Sequence, residues 1–176
     1  EESIINHIRS ATSAILILLL IGAIAGTWMI SGVVPTMIYY GLQILIPTTF
    51  LMAAMLVCSV TSLATGTSWG TVGTVGVALM GIGLGLGMDP AMTGGAILSG
   101  AYFGDKVSVL SDTTVLASST VKVPIFTHIN YMMRTTIPSF VVALVVFAVA
   151  GVLTSHADTS HAVAVAENLE QTFNIS

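Results

Sequence analysis

Asp105, Lys106, Ser108, Ser111, Asp112, Thr113 and Thr114 gather two carboxylates, one ammonium and four hydroxyls into ten consecutive residues. Such a set offers hard oxygen ligands to a small cation, and it suits sodium far better than a metal that prefers thiolate or imidazole. On a helix, Ser108, Ser111 and Asp112 share one face by their three- and four-residue spacing. A second hydroxyl-rich stretch, Thr65, Thr67, Ser68 and Thr71, supplies further oxygens beside any backbone carbonyls freed there. A carboxylate taken out of water holds its proton more firmly, so a proton and a cation compete for the same oxygens. That competition suffices for coupled exchange in a protein that alternates its access. Lys106 stands beside Asp105 and is placed to neutralise it, which points to Asp112 as the exchanging group. The competing account is a polar network that only ties interrupted helices together.

These polar residues are set in hydrocarbon. From Ser10 to Met88 there is no Asp, Glu, Lys, Arg or His. Of the 176 residues 55% are hydrophobic and 7% charged, against roughly 25% charged in soluble domains, and the mean hydropathy is +0.98. This is membrane composition, and an ionisable group within it is a functional candidate, since insertion costs about 2.5–3.5 kcal/mol. The long apolar runs lack the alternation of an outer-membrane barrel, so the predicted fold is all-α, a polytopic helix bundle whose partner is the lipid bilayer. The net charge of −4 comes mostly from the two ends, and nothing basic clusters, which excludes nucleic acid as a partner. Cys58, the single cysteine, reads as a small buried hydrophobe.

The spacing predicts crossings at about 12–30, 42–64, 72–88, 91–118 and 136–154, each near the ~20 residues a helix needs to span the bilayer. Arg9, Lys122 and Arg134 put the entries of the first and last on the cytoplasmic side. Interruptions are expected at 31–36, where Gly32 and Pro35 stand, and at 65–74, too rich in Gly and Thr for a plain helix. Alternating Gly81, Gly83, Gly85 and Gly87 predict close helix packing, and Asp89-Pro90 reads as a cap and first turn. Residues 1–154 are taken as the transmembrane core. Residues 155–176 are a polar loop or tail leading toward a further membrane segment, with an amphipathic start at 163–169. In that tail His156, Asp158 and His161 read as solvated rather than metal-binding. The chain opens on Glu1-Glu2-Ser3 and reads as a piece of something longer. Two Gly/Ser/Thr-rich interruptions inside hydrophobic stretches, at 65–74 and 104–114, are the sequence pointer to the ion site of a secondary transporter. They are expected to be neighbours across one site.

Gly100-Ala101-Tyr102-Phe103-Gly104-Asp105-Lys106 followed by Leu110-Ser111-Asp112-Thr113-Thr114 resembles the signature of the NhaC-type sodium/proton antiporters. Gly26-Thr27-Trp28, Ser31-Gly32 with Pro35, and Thr67-Ser68-Trp69-Gly70-Thr71 resemble other motifs of that family. The resemblance implies an internal fragment of an inverted-repeat transporter with broken or re-entrant helices, partnered by the remaining segments of the full-length protein. Assembly as a homo-oligomer is left open. It also implies a place for Asp105, Ser111, Asp112, Thr113 and Thr114 in the ion pathway, with Thr67 and Ser68 opposite. Val109 and Val115 depart from the signature, which more usually has proline and asparagine there. The expected activity is exchange of Na+ for H+ across the cell membrane, with no cofactor and no enzymatic chemistry. The family's malate/proton for sodium/lactate exchange is the alternative, and a non-transporting structural membrane subunit the alternative of another class. An intramembrane aspartyl protease is excluded by its motif. Asp105 follows Tyr-Phe-Gly and Asp89 follows Gly-Leu-Gly-Met, where Gly-x-Gly-Asp would be needed.

Overall fold

A computed structural model describes residues 2–154; the tail at 155–176, with its amphipathic stretch and its His156, Asp158 and His161, lies outside the described residues. Every regular element described is a helix: α1 Glu2–Ile30, α2 Val33–Ile44, α3 Pro47–Thr65, α4 Ser68–Gly85, α5 Pro90–Val107, α6 Asp112–Thr120 and α7 Ile125–Thr154. α3, α4 and α7 are each long and apolar enough to cross a membrane, and Leu19–Ile30 of α1 with α2 passes the same test as a pair bent by 67°, the geometry of a broken span or a re-entrant loop. The chain is an all-α, polytopic bundle of the expected class.

Local chemistry sets the helix ends. Gly32 turns α1 into α2 in a left-handed conformation (φ 84°), with Pro35 in the first turn of α2. The predicted crossing at 42–64 is instead two helices. Ile46 is extended, as the residue before a proline prefers, and Pro47 opens α3 in the position where its missing N–H is harmless. The stretch 65–74 is far less open than its composition suggests: only Gly66 and Thr67 leave the helix, and α4 begins at Ser68. Its Gly/Thr-rich part is accommodated as a widened π-helical turn at Val72–Gly76, a form that recurs at functional sites. Asp89 caps α5 as expected, its Oδ1 accepting from Met92 N at 2.9 Å. The predicted crossing 91–118 is broken at 108–111, between α5 and α6.

α5 is the central helix, packed most extensively on α3 and also on α4 and α7. Phe50, Leu51, Met55, Cys58, Leu79, Ile82, Ala96, Ile97 and Ala101 form the apolar core between them. Phe103 stacks on Phe140 of α7 with ring centroids 3.9 Å apart. The glycine stripe of α4 does lie at crossings: a Cβ on Gly81 would strike Ile38 of α2, and one on Gly83 would strike Thr93 of α5. Gly87 does not belong to that stripe, because it forms the turn after α4 with φ 70°. The tightest crossing is one the glycine alternation did not flag. A Cβ on Gly100 would run into the carbonyl oxygen of Met55, and one on Gly104 into that of Ser59, so α3 and α5 meet backbone to backbone.

Candidate functional site

The end of α3, the start of α4, the end of α5 and the start of α6 converge on one locus. Most of the buried polar residues described lie on these segments: Ser62, Ser68, Thr71, Asp105, Ser108, Ser111 and Thr114. The two breaks are neighbours. Gly66, left-handed at φ 71°, lies so close to Leu110 that an added Cβ would sit 2.6 Å from its carbonyl carbon. Ser108 Oγ donates to Leu63 O at 2.8 Å, tying the second break to the last turn of α3.

Asp105 is the buried carboxylate, 5% exposed, in the last turn of α5. Ser68 Oγ, at the first position of α4, donates to its Oδ2 at 3.2 Å, while Oδ1 is buried with no hydrogen-bond partner. Unpaired buried polar atoms are rare and call for an explanation, a bound ion among them. The helix dipoles act on this group with opposite signs: the C-terminal end of α5 disfavours an anion, and the N-terminal end of α4 favours one. A cavity of about 40 Å³ walled by Ser68, Trp69, Val72, Leu98 and Tyr102 adjoins the Ser68 side of the pair.

The other predicted residues divide. Thr67 caps α4, its Oγ1 accepting from Gly70 N at 3.2 Å. Ser108 is 2% exposed, and its Oγ also accepts from Leu110 N at 3.2 Å, a serine turn that makes the break with Val109, not a proline, next in the chain. Ser111 caps α6, accepting from Thr114 N at 3.4 Å, and shares a hydrogen bond of 2.9 Å with Thr113. Thr114 Oγ1 donates back to Lys106 O at 3.2 Å, and lies 3.5 Å from Asp105 O, so the first turn of α6 covers freed carbonyls of α5. Asp112 is exposed, its Oδ1 accepting from Thr113 N at 2.8 Å. Lys106 does not turn toward Asp105. Adjacent helix residues point apart, and Lys106 lines a groove of about 320 Å³ between α5 and α7 with Phe103, Ser139 and Phe140.

Ser62 is fully buried and was not among the predicted residues. Its Oγ donates to Ala101 O at 2.6 Å. The signal that could have found it is the spacing of Met55, Cys58, Ser59 and Ser62, a narrow stripe on one face of α3, set against Gly100 and Gly104 four apart on α5.

Residues 100–176 match the model of a family described as the Na+/H+ antiporter family. The Malate-2H(+)/Na(+)-lactate antiporter of Bacillus subtilis is 52% identical over 151 residues, covering 86% of this chain and 32% of that protein. The Na(+)/H(+) antiporter NhaC of Alkalihalophilus pseudofirmus is 43% identical over all 176 residues, 38% of its own length. The arginine/ornithine antiporter ArcD of Halobacterium salinarum is 43% identical over 152 residues, 86% of this chain and 31% of that protein. The chain thus spans about a third of the length of the curated relatives it matches. No solved structure matches it.

Proposed function

Because this chain belongs to the Na+/H+ antiporter family and resembles its NhaC members, we propose that it carries an ion site of a secondary antiporter that exports Na+ in exchange for inward H+ across the cell membrane. It is part of a transporter, not of an enzyme. The observation that carries this reading is the Asp105 carboxylate, buried where two helices break, with Ser68 on one oxygen and nothing on the other. Oδ1 is the point at which a proton or a dehydrated cation binds, never both. Ser68 and Thr67 stand on one side of the site, and Ser108, Ser111, Thr113 and Thr114 on the other. Asp112 contributes charge at the edge of the site, where α6 starts. The remaining segments of the intact transporter, including the partner half of an inverted repeat, complete the coordination and the access paths.

Sodium-driven proton movement in vesicles carrying the intact transporter tests it. In the parent, adding Na+ on one side draws protons out to that same side as Na+ leaves it, and the half-saturating Na+ concentration rises as the pH falls, because protons occupy the same carboxylate. In Asp105→Asn the sodium-driven movement is lost. Flux unchanged in Asp105→Asn would return the locus to a structural role.

A second reading, exchange of malate and protons for sodium and lactate, draws on the 52% identity to the relative of that name. Malate and lactate competing with Na+-driven flux would favour it; indifference to both would leave the cation antiporter.

A further inference from the structure

Ser68 and Asp105 reach each other from different helices, so something must fix how far apart α4 and the end of α5 stand. Ser62 has a hand on both sides. Ser62 sends its hydroxyl to Ala101 O at 2.6 Å, the carbonyl one helical turn before Asp105 and the one to which the Asp105 amide is directed in an α-helix. Its own carbonyl accepts from Gly66 N at 2.8 Å, the bond that closes α3 at the left-handed glycine two residues before Ser68. Gly104 seals the contact. A Cβ there would meet Leu63 N at 2.6 Å and Ser62 Cβ at 2.8 Å, so the turn that bears Asp105 is pressed on the turn that bears Ser62. Ser62 touches neither the carboxylate nor the hydroxyl of the pair, and its own exposure is 0%.

We infer that Ser62 is a positioning residue for the ion site, coupling the end of α5 to the turn that launches α4 and so setting the separation of Asp105 and Ser68. This rests on Asp105 being the exchanging group, as proposed above. A site whose first oxygen is held by Ser68 and whose second waits for an ion is sensitive to that separation, because coordination distances tolerate only a few tenths of an ångström. Removing the Ser62 hydroxyl leaves Ala101 O with its ordinary helical partner, so the bundle keeps its fold while the two sides of the pair lose their common anchor.

The test is Ser62→Ala in the intact transporter, with sodium-driven proton movement measured in vesicles across Na+ concentrations and normalised to the amount of folded protein. The half-saturating Na+ concentration is expected to rise about threefold, the equivalent of an average interhelical hydrogen bond, with the maximal rate retained. Ser62→Cys, of nearly the same shape and a weaker donor, falls between, and carries the test if Ser62→Ala fails to accumulate. In a Ser68→Ala background the Ser62→Ala shift should shrink toward nothing, since its route to the site is gone; two independent packing defects would instead multiply. A change only in protein amount or maximal rate, or full multiplicativity with Ser68→Ala, overturns the assignment of Ser62. Flux that survives Asp105→Asn overturns the Asp105 reading beneath it, so the two failures are told apart.

Discussion

Asp105 closes a helix and Asp112 opens one, and the difference governs what each carboxylate can do. In the first turn of α6, Asp112 is exposed, stands at the favourable end of its own helix dipole, and spends an oxygen on the neighbouring Thr113 amide. A carboxylate at a helix start contributes about 0.3–1 kcal/mol to that helix. Asp105 is buried at the unfavourable end of α5 and retains its hold through Ser68 and the start of α4. Asp112→Asn is therefore expected to keep sodium-driven proton movement and its pH dependence, with a small loss of thermal stability, whereas Asp105→Asn loses both. Flux curves for the two variants side by side decide this; loss confined to Asp112→Asn would move the exchanging group to α6. The sequence named both aspartates and most of the hydroxyls around them, Ser62 excepted, because ionisable and hydroxyl groups stand out in hydrocarbon. It ranked Asp112 first, on the expectation that Lys106 neutralises Asp105, and the structure does not turn Lys106 that way. Ranking depends on which way Lys106 turns, and that follows from the packing of α5 on α7, where Lys106 lines a groove beside Phe103 and Phe140.

At the scale of elements, the breaks are held by hydroxyls and glycines in place of prolines alone. Between α5 and α6 no proline stands at 109, and the break persists because Ser108 bonds both Leu63 O and Leu110 N while Ser111 caps α6. The close approach of α3 and α5 depends on Gly100 and Gly104, whose added Cβ atoms would meet the carbonyl oxygens of Met55 and Ser59. A backbone cannot yield as a side chain can, so Gly100→Ala or Gly104→Ala should cost about 1–3 kcal/mol, the usual range for overpacking. Gly22→Ala and Gly26→Ala in α1 have nothing within 4 Å to meet, and should be neutral or slightly stabilising. Thermal unfolding of the four variants in detergent checks the contrast, and equal effects in both pairs would refute it. Helix existence was legible from the apolar runs, as was the cap at Asp89. The break before Pro47 and the restoration of helix over 68–76 were not. The first depends on a proline beginning an element that hydropathy alone runs through, and the second on a π-helical turn that absorbs Gly and Thr without unwinding.

The whole molecule leaves a great deal of apolar surface unsatisfied by its own packing. Along α7, Val141, Val142, Val145, Val146, Val149, Val152 and Leu153 are all exposed, and few residues of that helix are buried. Lipid covers such a face readily, but the locus around Asp105 has a stricter need. Its Oδ1 is unpartnered, and backbone freed at a break is tolerated at membrane depth only where protein buries it or it lines a cavity. The chain spans about a third of the length of its curated relatives, and on the function proposed above the rest of the transporter supplies the further ligands and a second, opposed access path. Exchange needs both paths, since a carboxylate reachable from one side alone can bind an ion and cannot move it. The 176 residues reconstituted alone are accordingly expected to show no sodium-driven proton movement above empty vesicles, even where circular dichroism reports a helical fold. Co-expression with the remainder of the transporter as a separate chain should restore it, and restoration should fail with Asp105→Asn in this piece. Flux from the 176 residues alone at the rate of the intact protein would mean that α1 to α7 already contain both access paths, and that the open oxygen of Asp105 needs no partner from elsewhere.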